Sequence, residues 1–150
     1  MVILLNHIRH KLRLTTVGST NIAFVQGNTF EYFDELRKLL ELAKSDVLFV
    51  DPYLNGEFVS RYLPSVRASV PVRLLTTKEK IRELKAAAEM FSSQTRLYIN
   101  IRTSSGLHDR YLFLDRTECC HSGASFKDGA KNAPTTVTQV IDVFDQVLVA

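Results

Sequence analysis

A histidine and an arginine stand two residues apart at the head of the apolar stretch LHDRYLFLD, which runs from Leu107 to Asp115. The stretch predicts a β-strand over residues 108–115. Residues two apart in a strand point to the same face, so His108 and Arg110 project together. A neutral imidazole is a competent nucleophile or general base at about pH 7, and a guanidinium holds two phosphoryl oxygens in a bidentate fork. The two side chains together therefore suit attack on phosphorus.

Asp115 lies seven residues after His108, and this odd offset places its side chain on the opposite face of a regular strand. It either lies at the end of the strand, where the chain turns, or supports the structure from behind. A second interpretation needs no ligand at all. In it, the His-x-Arg pair is a solvated strand edge and Asp115 is an ordinary turn former ahead of Arg116.

The next segment, HSGASFKDGAKN from His121 to Asn132, is a loop that combines small and turn-forming residues with possible phosphate donors. A turn-rich loop would explain its glycines without any ligand. A loop directly after a candidate phosphate pair is also where the remaining phosphate ligands are expected. We therefore add Ser125 and Lys127 to Arg110 as candidate phosphate-binding residues.

The spacing His108-x-Arg110-x4-Asp115 resembles the His-x-Lys-x4-Asp signature of the phospholipase D superfamily. The loop GASFKDGAK, residues 123–131, is similar to the loop of bacterial members that carry one signature per chain. The strand end VDPYL and the order of helices and strands agree with that family's domain. The resemblance covers roughly residues 22–148.

The resemblance implies a role for each matching residue. His108 would be the nucleophile that forms a phosphohistidine intermediate, and Asp115 would be the signature aspartate that supports the site. Arg110 stands where a lysine normally binds the phosphate, which keeps the charge but changes reach and geometry. Ser125 would correspond to the loop serine that contacts phosphate.

The family's mechanism needs one histidine to attack and one to protonate the leaving group. A chain with one signature obtains the second histidine by forming a homodimer, and such members need no metal and no cofactor. The resemblance thus implies a nuclease-type phosphodiesterase acting on nucleic acid or a related phosphodiester. The alternatives are an inactive domain of the same fold that binds nucleic acid or phospholipid headgroups at a membrane, or an interaction module of a larger protein.

Apolar periodicity and turn residues predict an α/β fold in which strands and helices alternate in the first two thirds of the chain. Capping boxes at Asn28 with Glu31 and at Thr76 with Glu79 predict two helix starts, and Pro64 ends a short helix between them. Strand-like runs cover residues 22–25, 46–51, 70–77, 97–102, 108–115, 117–122 and 135–140.

The expected architecture is a phospholipase D-like α/β/α sandwich around a mixed, largely parallel sheet. We assign residues 1–21 to a basic and apolar N-terminal segment and residues 22–150 to the domain. The C-terminal run from Ile141 to Leu148 has helical spacing and ends without a cap, which indicates a fragment of a longer protein.

Composition places the chain among ordinary globular proteins, with 45% hydrophobic and 23% charged residues and a net charge of +3. This charge is compatible with a polyanionic partner but does not require one. A bridge between the adjacent Cys119 and Cys120 would be strained, so we expect free thiols and a cytoplasmic protein. A zinc site would have to add His108 and His121 as ligands, and this spacing is atypical of zinc sites.

Overall fold

The structure is a computed structural model, and it describes residues 21–140. The predicted N-terminal segment, apart from its last residue, and the C-terminal helical run from residue 141 lie outside the described residues. Within residues 21–140 the chain forms one seven-stranded sheet with three α-helices. The strands are β1 Asn21–Phe24, β2 Val47–Val50, β3 Val72–Thr76, β4 Ile99–Thr103, β5 Arg110–Leu114, β6 Glu118–Ser122 and β7 Thr135–Gln139. The helices are α1 Thr29–Leu42, α2 Gly56–Tyr62 and α3 Ile81–Thr95, and a 3₁₀ turn at Leu63–Ser65 follows α2.

The strand order across the sheet is β1-β7-β6-β5-β2-β3-β4. Only β2 with β3 and β3 with β4 pair in parallel, and the other four pairs are antiparallel. The expectation of a largely parallel sheet is therefore wrong. Parallel neighbours need a crossover, which α2 and α3 supply, whereas short turns link β5 to β6 and can only reverse the chain.

The α/β class itself is confirmed, and the sheet has two unequal faces. Buried residues of all three helices belong to one large core cluster, which also contains Phe49 of β2 and Leu112 of β5. The opposite face carries a smaller cluster built on Val50, Phe113 and Cys119. No helix within residues 21–140 contributes a buried residue to that smaller cluster, so the three-layer sandwich stays a prediction.

Of the two helix starts predicted from capping boxes, the first agrees with the structure and the second does not. Asn28 precedes α1, as predicted, but its side-chain amide donates to Glu31 Oε2 at 3.1 Å and does not cap a backbone N–H. Thr76 is the last residue of β3, and α3 begins only after Lys80, so the second capping box is wrong. The short helix α2 has a side-chain cap, because Asn55 Oδ1 accepts from the Phe58 N–H at 3.1 Å.

Candidate functional site

The candidate site lies at the edge of the sheet where β2 and β3 end and β5 begins. Strand β5 runs antiparallel to β2 with Tyr111 opposite Val50. Arg110, the first residue of β5, therefore lies beside Asp51, which directly follows β2. The carboxyl ends of parallel strands are where α/β folds commonly bind ligands.

His108 precedes β5, because the strand begins at Arg110 and not at residue 108. Strand alternation therefore does not fix the direction of the imidazole, which corrects the sequence argument. His108 is exposed, and its side chain makes no hydrogen bond or ion pair with another residue in the range 21–140. The imidazole is thus accessible to solvent.

Arg110 faces the side of the sheet that the helices cover, since the next residue, Tyr111, and Phe113 pack on the opposite face. Its guanidinium carbon lies 5.9 Å from the centre of the Tyr53 ring. Its Nε atom is buried and has no hydrogen-bond partner among residues 21–140. Leaving a buried donor unpaired costs about 1–3 kcal/mol, and more for a charged group. The guanidinium can therefore donate a hydrogen bond to an anionic oxygen of a ligand.

Asp51 is a member of the site that sequence reasoning did not single out. Its carboxylate is fully buried and accepts hydrogen bonds from the Tyr53 N–H at 2.8 Å, Ser125 Oγ at 2.8 Å and the Phe126 N–H at 2.7 Å. Burial raises the pKa of Asp51, and these hydrogen bonds and the charge of Arg110 only partly oppose the rise. The sequence did contain a signal for Asp51, because it is a single carboxylate that directly follows the apolar run of β2.

Ser125 and Lys127 occupy the loop that Asp51 holds. Ser125 is buried at 3% exposure and donates its hydroxyl to Asp51, so that donor is already in use. Lys127 Nζ lies 3.3 Å from Asp128 Oδ1. The backbone carbonyl of Lys127 accepts a hydrogen bond from Arg61 Nη1 at 3.1 Å. The structure therefore links Ser125 and Arg110 through their shared neighbour Asp51, and it pairs the Lys127 ammonium within its own loop.

Aromatic side chains of the helices fix the backbone of this loop. Tyr62 donates its hydroxyl to the Phe126 carbonyl at 2.6 Å, and the Tyr32 hydroxyl lies 2.6 Å from Ser122 Oγ. Burial raises the pKa of both phenols, which keeps them protonated. Gly129 has a φ of 55°, and a Cβ there would come within 2.7 Å of the Tyr32 ring. Any other residue at this position would combine an unfavourable backbone conformation with a clash against Tyr32.

Asp115 lies at the other end of β5, in the turn to β6, which is the first of its two predicted positions. The rise of a five-residue strand separates it from Arg110 by roughly 16 Å. Its carboxylate accepts from four donors, which are the backbone N–H groups of Lys44, Ser45 and Asp46 and the Ser45 hydroxyl. Burial alone would raise the pKa of Asp115, but these hydrogen bonds outweigh it and the pKa is lowered. The structure thus does not bring Asp115 to His108 and Arg110.

The two cysteines are free thiols on opposite faces of the sheet, because Cys120 belongs to the large cluster and Cys119 to the small one. Burial raises the pKa of each thiol to about 12. Among the residues that the structure describes, no group of three or more His, Cys, Asp or Glu side chains could hold a metal ion. In the same part of the chain, no helix is both long enough and apolar enough to cross a membrane.

Several solved structures share the fold. NucT from Helicobacter pylori is 13% identical with a TM-score of 0.64, over 87% of this chain and 90% of that one. Nuc from Salmonella typhimurium, a phospholipase D family member, is 13% identical with a TM-score of 0.63 over the same shares of the two chains. The archaeal chromatin protein TrmBL2 is 15% identical with a TM-score of 0.57, over 99% of this chain and 54% of its own. No protein-family model matches the chain, and no curated protein matches its sequence.

Proposed function

We propose that this chain, which has the fold of the phospholipase D superfamily, is a metal-independent phosphodiesterase of the nuclease type. The observation that carries the proposal is the buried Nε of Arg110, which has no hydrogen-bond partner among residues 21–140 and lies two residues along the chain from the exposed His108. A cationic side chain with a free buried donor thus lies two positions along the chain from an exposed imidazole, at the edge of the sheet where the parallel strands β2 and β3 end. A phosphodiester offers both of the groups this site needs, an anionic oxygen for Arg110 and an electrophilic phosphorus for His108.

In the proposed reaction the Arg110 guanidinium holds the non-bridging oxygens of the phosphodiester. A nitrogen of His108 attacks phosphorus, and the N–P bond forms as the P–O bond to the leaving alcohol breaks. The leaving oxygen takes a proton from the imidazolium of His108 in a second copy of the chain. Water then attacks phosphorus, the N–P bond breaks, and the second imidazole takes the proton from the water. Attack and protonation thus use the same residue of two chains, which is why we propose a homodimer.

The remaining candidates support this chemistry from a distance. Asp51 holds Ser125 and the Phe126 backbone, and so fixes the loop beside Arg110. Asp115 anchors the far end of β5, the strand that carries Arg110 at its head. We assign Asp115 to support of the strand. Lys127 remains a proposed phosphate contact that has to leave Asp128 to reach a substrate.

Hydrolysis with a chelator present tests the proposal. Purified protein is incubated with labelled single- and double-stranded DNA and RNA in EDTA, and products are separated on a denaturing gel. We expect cleavage by the wild type and a loss of at least about 10³-fold for His108→Ala, because the nucleophile is gone. His121→Gln is the matched control, since His121 lies on the neighbouring strand β6 against the Tyr111 ring. Cleavage that survives His108→Ala, or that requires added metal, would reject the proposal.

A binding domain without turnover is the second candidate, and the placement of Ser125 favours it. The Ser125 hydroxyl already donates to Asp51 and is buried, so it does not present a donor to a phosphate in this state. Such a domain would bind oligonucleotides with an affinity that falls steeply as salt rises, because phosphate contacts release counterions. Anisotropy titrations at several salt concentrations, alongside sedimentation with anionic lipid vesicles, separate nucleic-acid binding from headgroup binding.

A further inference from the structure

One exposed aromatic side chain stands at the candidate site. Tyr53 is 47% exposed, although its two neighbours, Pro52 and Leu54, are buried. Its backbone N–H donates to Asp51 at 2.8 Å, and the Pro52 carbonyl accepts from Thr77 Oγ1 at 2.6 Å. The ring is therefore presented to solvent from a backbone that is held on both sides.

The Tyr53 ring also neighbours the proposed phosphate-binding group. The guanidinium carbon of Arg110 lies 5.9 Å from the ring centre, which is within the range of a cation–π contact. In a nucleotide, a single sugar joins the phosphate to the base. A ligand whose phosphate is held by Arg110 thus places a base within reach of the Tyr53 ring.

We infer that Tyr53 is a base-stacking residue that makes the site select single-stranded nucleic acid. An aromatic ring can stack on a base only when the face of that base is free. In a duplex each base face is covered by its neighbours, whereas single strands, loops and ends can expose their bases. This inference rests on the proposed phosphate site at Arg110 and adds the form of nucleic acid that the site accepts.

Binding measurements on the whole 150-residue chain carrying His108→Ala test the inference without cleavage of the ligand. Fluorescence anisotropy is recorded with a labelled single-stranded oligonucleotide, its duplex, and a single strand of the same length in which every base is removed. We expect the parent to bind the single strand more tightly than either other ligand. Adding Tyr53→Ala should weaken single-strand binding by roughly five- to 150-fold and leave abasic binding unchanged. Tyr53→Phe should bind like the parent, because it keeps the ring.

Tyr98→Ala is the matched control, because Tyr98 is a tyrosine with 62% exposure just before β4, at the opposite edge of the parallel strands. The inference would be overturned, and the proposed function would stand, if Tyr53→Ala weakened binding of the abasic strand as much as that of the normal single strand. The same holds if Tyr53→Ala did not weaken single-strand binding at all. Absence of binding to every ligand at low salt would overturn both. Cleavage by the wild type that is equally fast on single strands and duplexes and insensitive to Tyr53→Ala would overturn the inference alone.

Discussion

Strand β5 begins at Arg110, and Asp115 follows directly after its other end. The polar atoms of these two side chains differ in how many hydrogen-bond partners they have. The Asp115 carboxylate accepts from four donors, and beside it Asp46 pairs with Arg73 at 2.8 and 3.0 Å. The Arg110 end leaves Arg110 Nε buried without a partner in the described range, and Thr76 Oγ1 likewise. Asp51 there has a raised pKa, whereas the pKa of Asp115 is lowered.

The contrast separates a stabilising end of the strand from a functional one. Buried polar groups in native proteins are nearly always hydrogen-bonded, and an exception calls for an explanation, such as a catalytic role or a bound water or ion. A charged donor that is buried without a partner destabilises the folded protein. A bound ligand that supplies the missing acceptor removes this destabilisation. Substitutions at the Arg110 end should therefore change activity, and those at the Asp115 end should change stability.

The largest expected effect is on turnover at position 110. Arg110→Met keeps the apolar stem but removes the charge and the hydrogen bonds to phosphate. We expect hydrolysis to fall by about 10²–10³-fold, as when one donor to a developing oxyanion is lost. The free energy of unfolding, measured in urea, should stay the same or rise, because an unsatisfied buried donor is removed. Arg67→Ala, at an exposed arginine before β3, is the control and should change neither quantity. Loss of stability with retained activity would contradict the division between the two ends.

At the other end of β5 the stability effect dominates. Asp115→Ala leaves three backbone N–H groups without their acceptor, and we expect it to lower the free energy of unfolding by about 2 kcal/mol. The turnover of the folded protein should remain near that of the wild type. Asp34→Ala, which removes ion pairs between partly exposed side chains on α1, should cost less than about 0.5 kcal/mol. Unchanged stability together with lost turnover would show that Asp115 takes part in the chemistry.

The two aspartates should also respond to pH with opposite signs. The pKa of Asp115 is lowered on folding, so its stabilisation is present above its unfolded pKa of about 3.9 and is lost as the pH falls below that. The pKa of Asp51 is raised, so its contribution is fully present below about pH 3.9 and is lost as the pH rises through its folded pKa.

Urea unfolding between about pH 2 and pH 7 measures how the free energy of unfolding changes with pH. This slope reaches at most about 1.4 kcal/mol per pH unit for one proton. Asp115→Asn should flatten the acid limb, and Asp51→Asn should remove the fall in stability above about pH 4. The slope is the readout, because both variants also lose hydrogen bonds. Identical slopes in the two variants would show that the two carboxyl groups do not differ in their folded environments.

The smallest effect belongs to the turn after Asp115. Arg116 has a φ of 58°, a left-handed conformation that costs a non-glycine residue about 1–2 kcal/mol. Arg116→Gly relieves this strain but raises the entropy of the unfolded chain, so we expect a net gain of about 0.5 kcal/mol. Thr117→Gly is the control, because its φ is not positive and it should lose stability. Thermal unfolding measures the stability of both variants. Lower stability of Arg116→Gly than of the wild type would show that the turn is not strained.

The sequence predicted the local elements better than their arrangement. Apolar periodicity located α1, β2 and the run of strands after residue 96, because burial on one face leaves a regular pattern. It could not show that β5 would pair antiparallel to β2, since pairing partners depend on connections and not on the pattern within a strand. The two extra residues assigned to the start of β5 have a similar origin, because His108 fits the alternation of a strand but is not paired with a neighbouring strand.

The candidate site was predicted in part for a similar reason. His108 and Arg110 are two residues apart in the chain, so the sequence could pair them without knowledge of the fold. Asp51 and Tyr53 come from a segment more than 50 residues away, and only the β2–β5 pairing brings them to Arg110. Ser125 was placed near the phosphate site, but its hydroxyl contact with Asp51 depends on a tertiary neighbour that no spacing reveals.

The central claim is that His108 forms a covalent bond to phosphorus, and trapping that bond tests it most directly. The wild type is mixed with an oligonucleotide carrying radioactive internal phosphates, quenched at alkaline pH in denaturant, and separated on a denaturing gel. The account predicts label on the protein, lost on acid treatment, absent from His108→Ala, and mapped by mass spectrometry to the peptide containing His108. Hydrolysis that proceeds without any label on the protein, or label on a different residue, would contradict it.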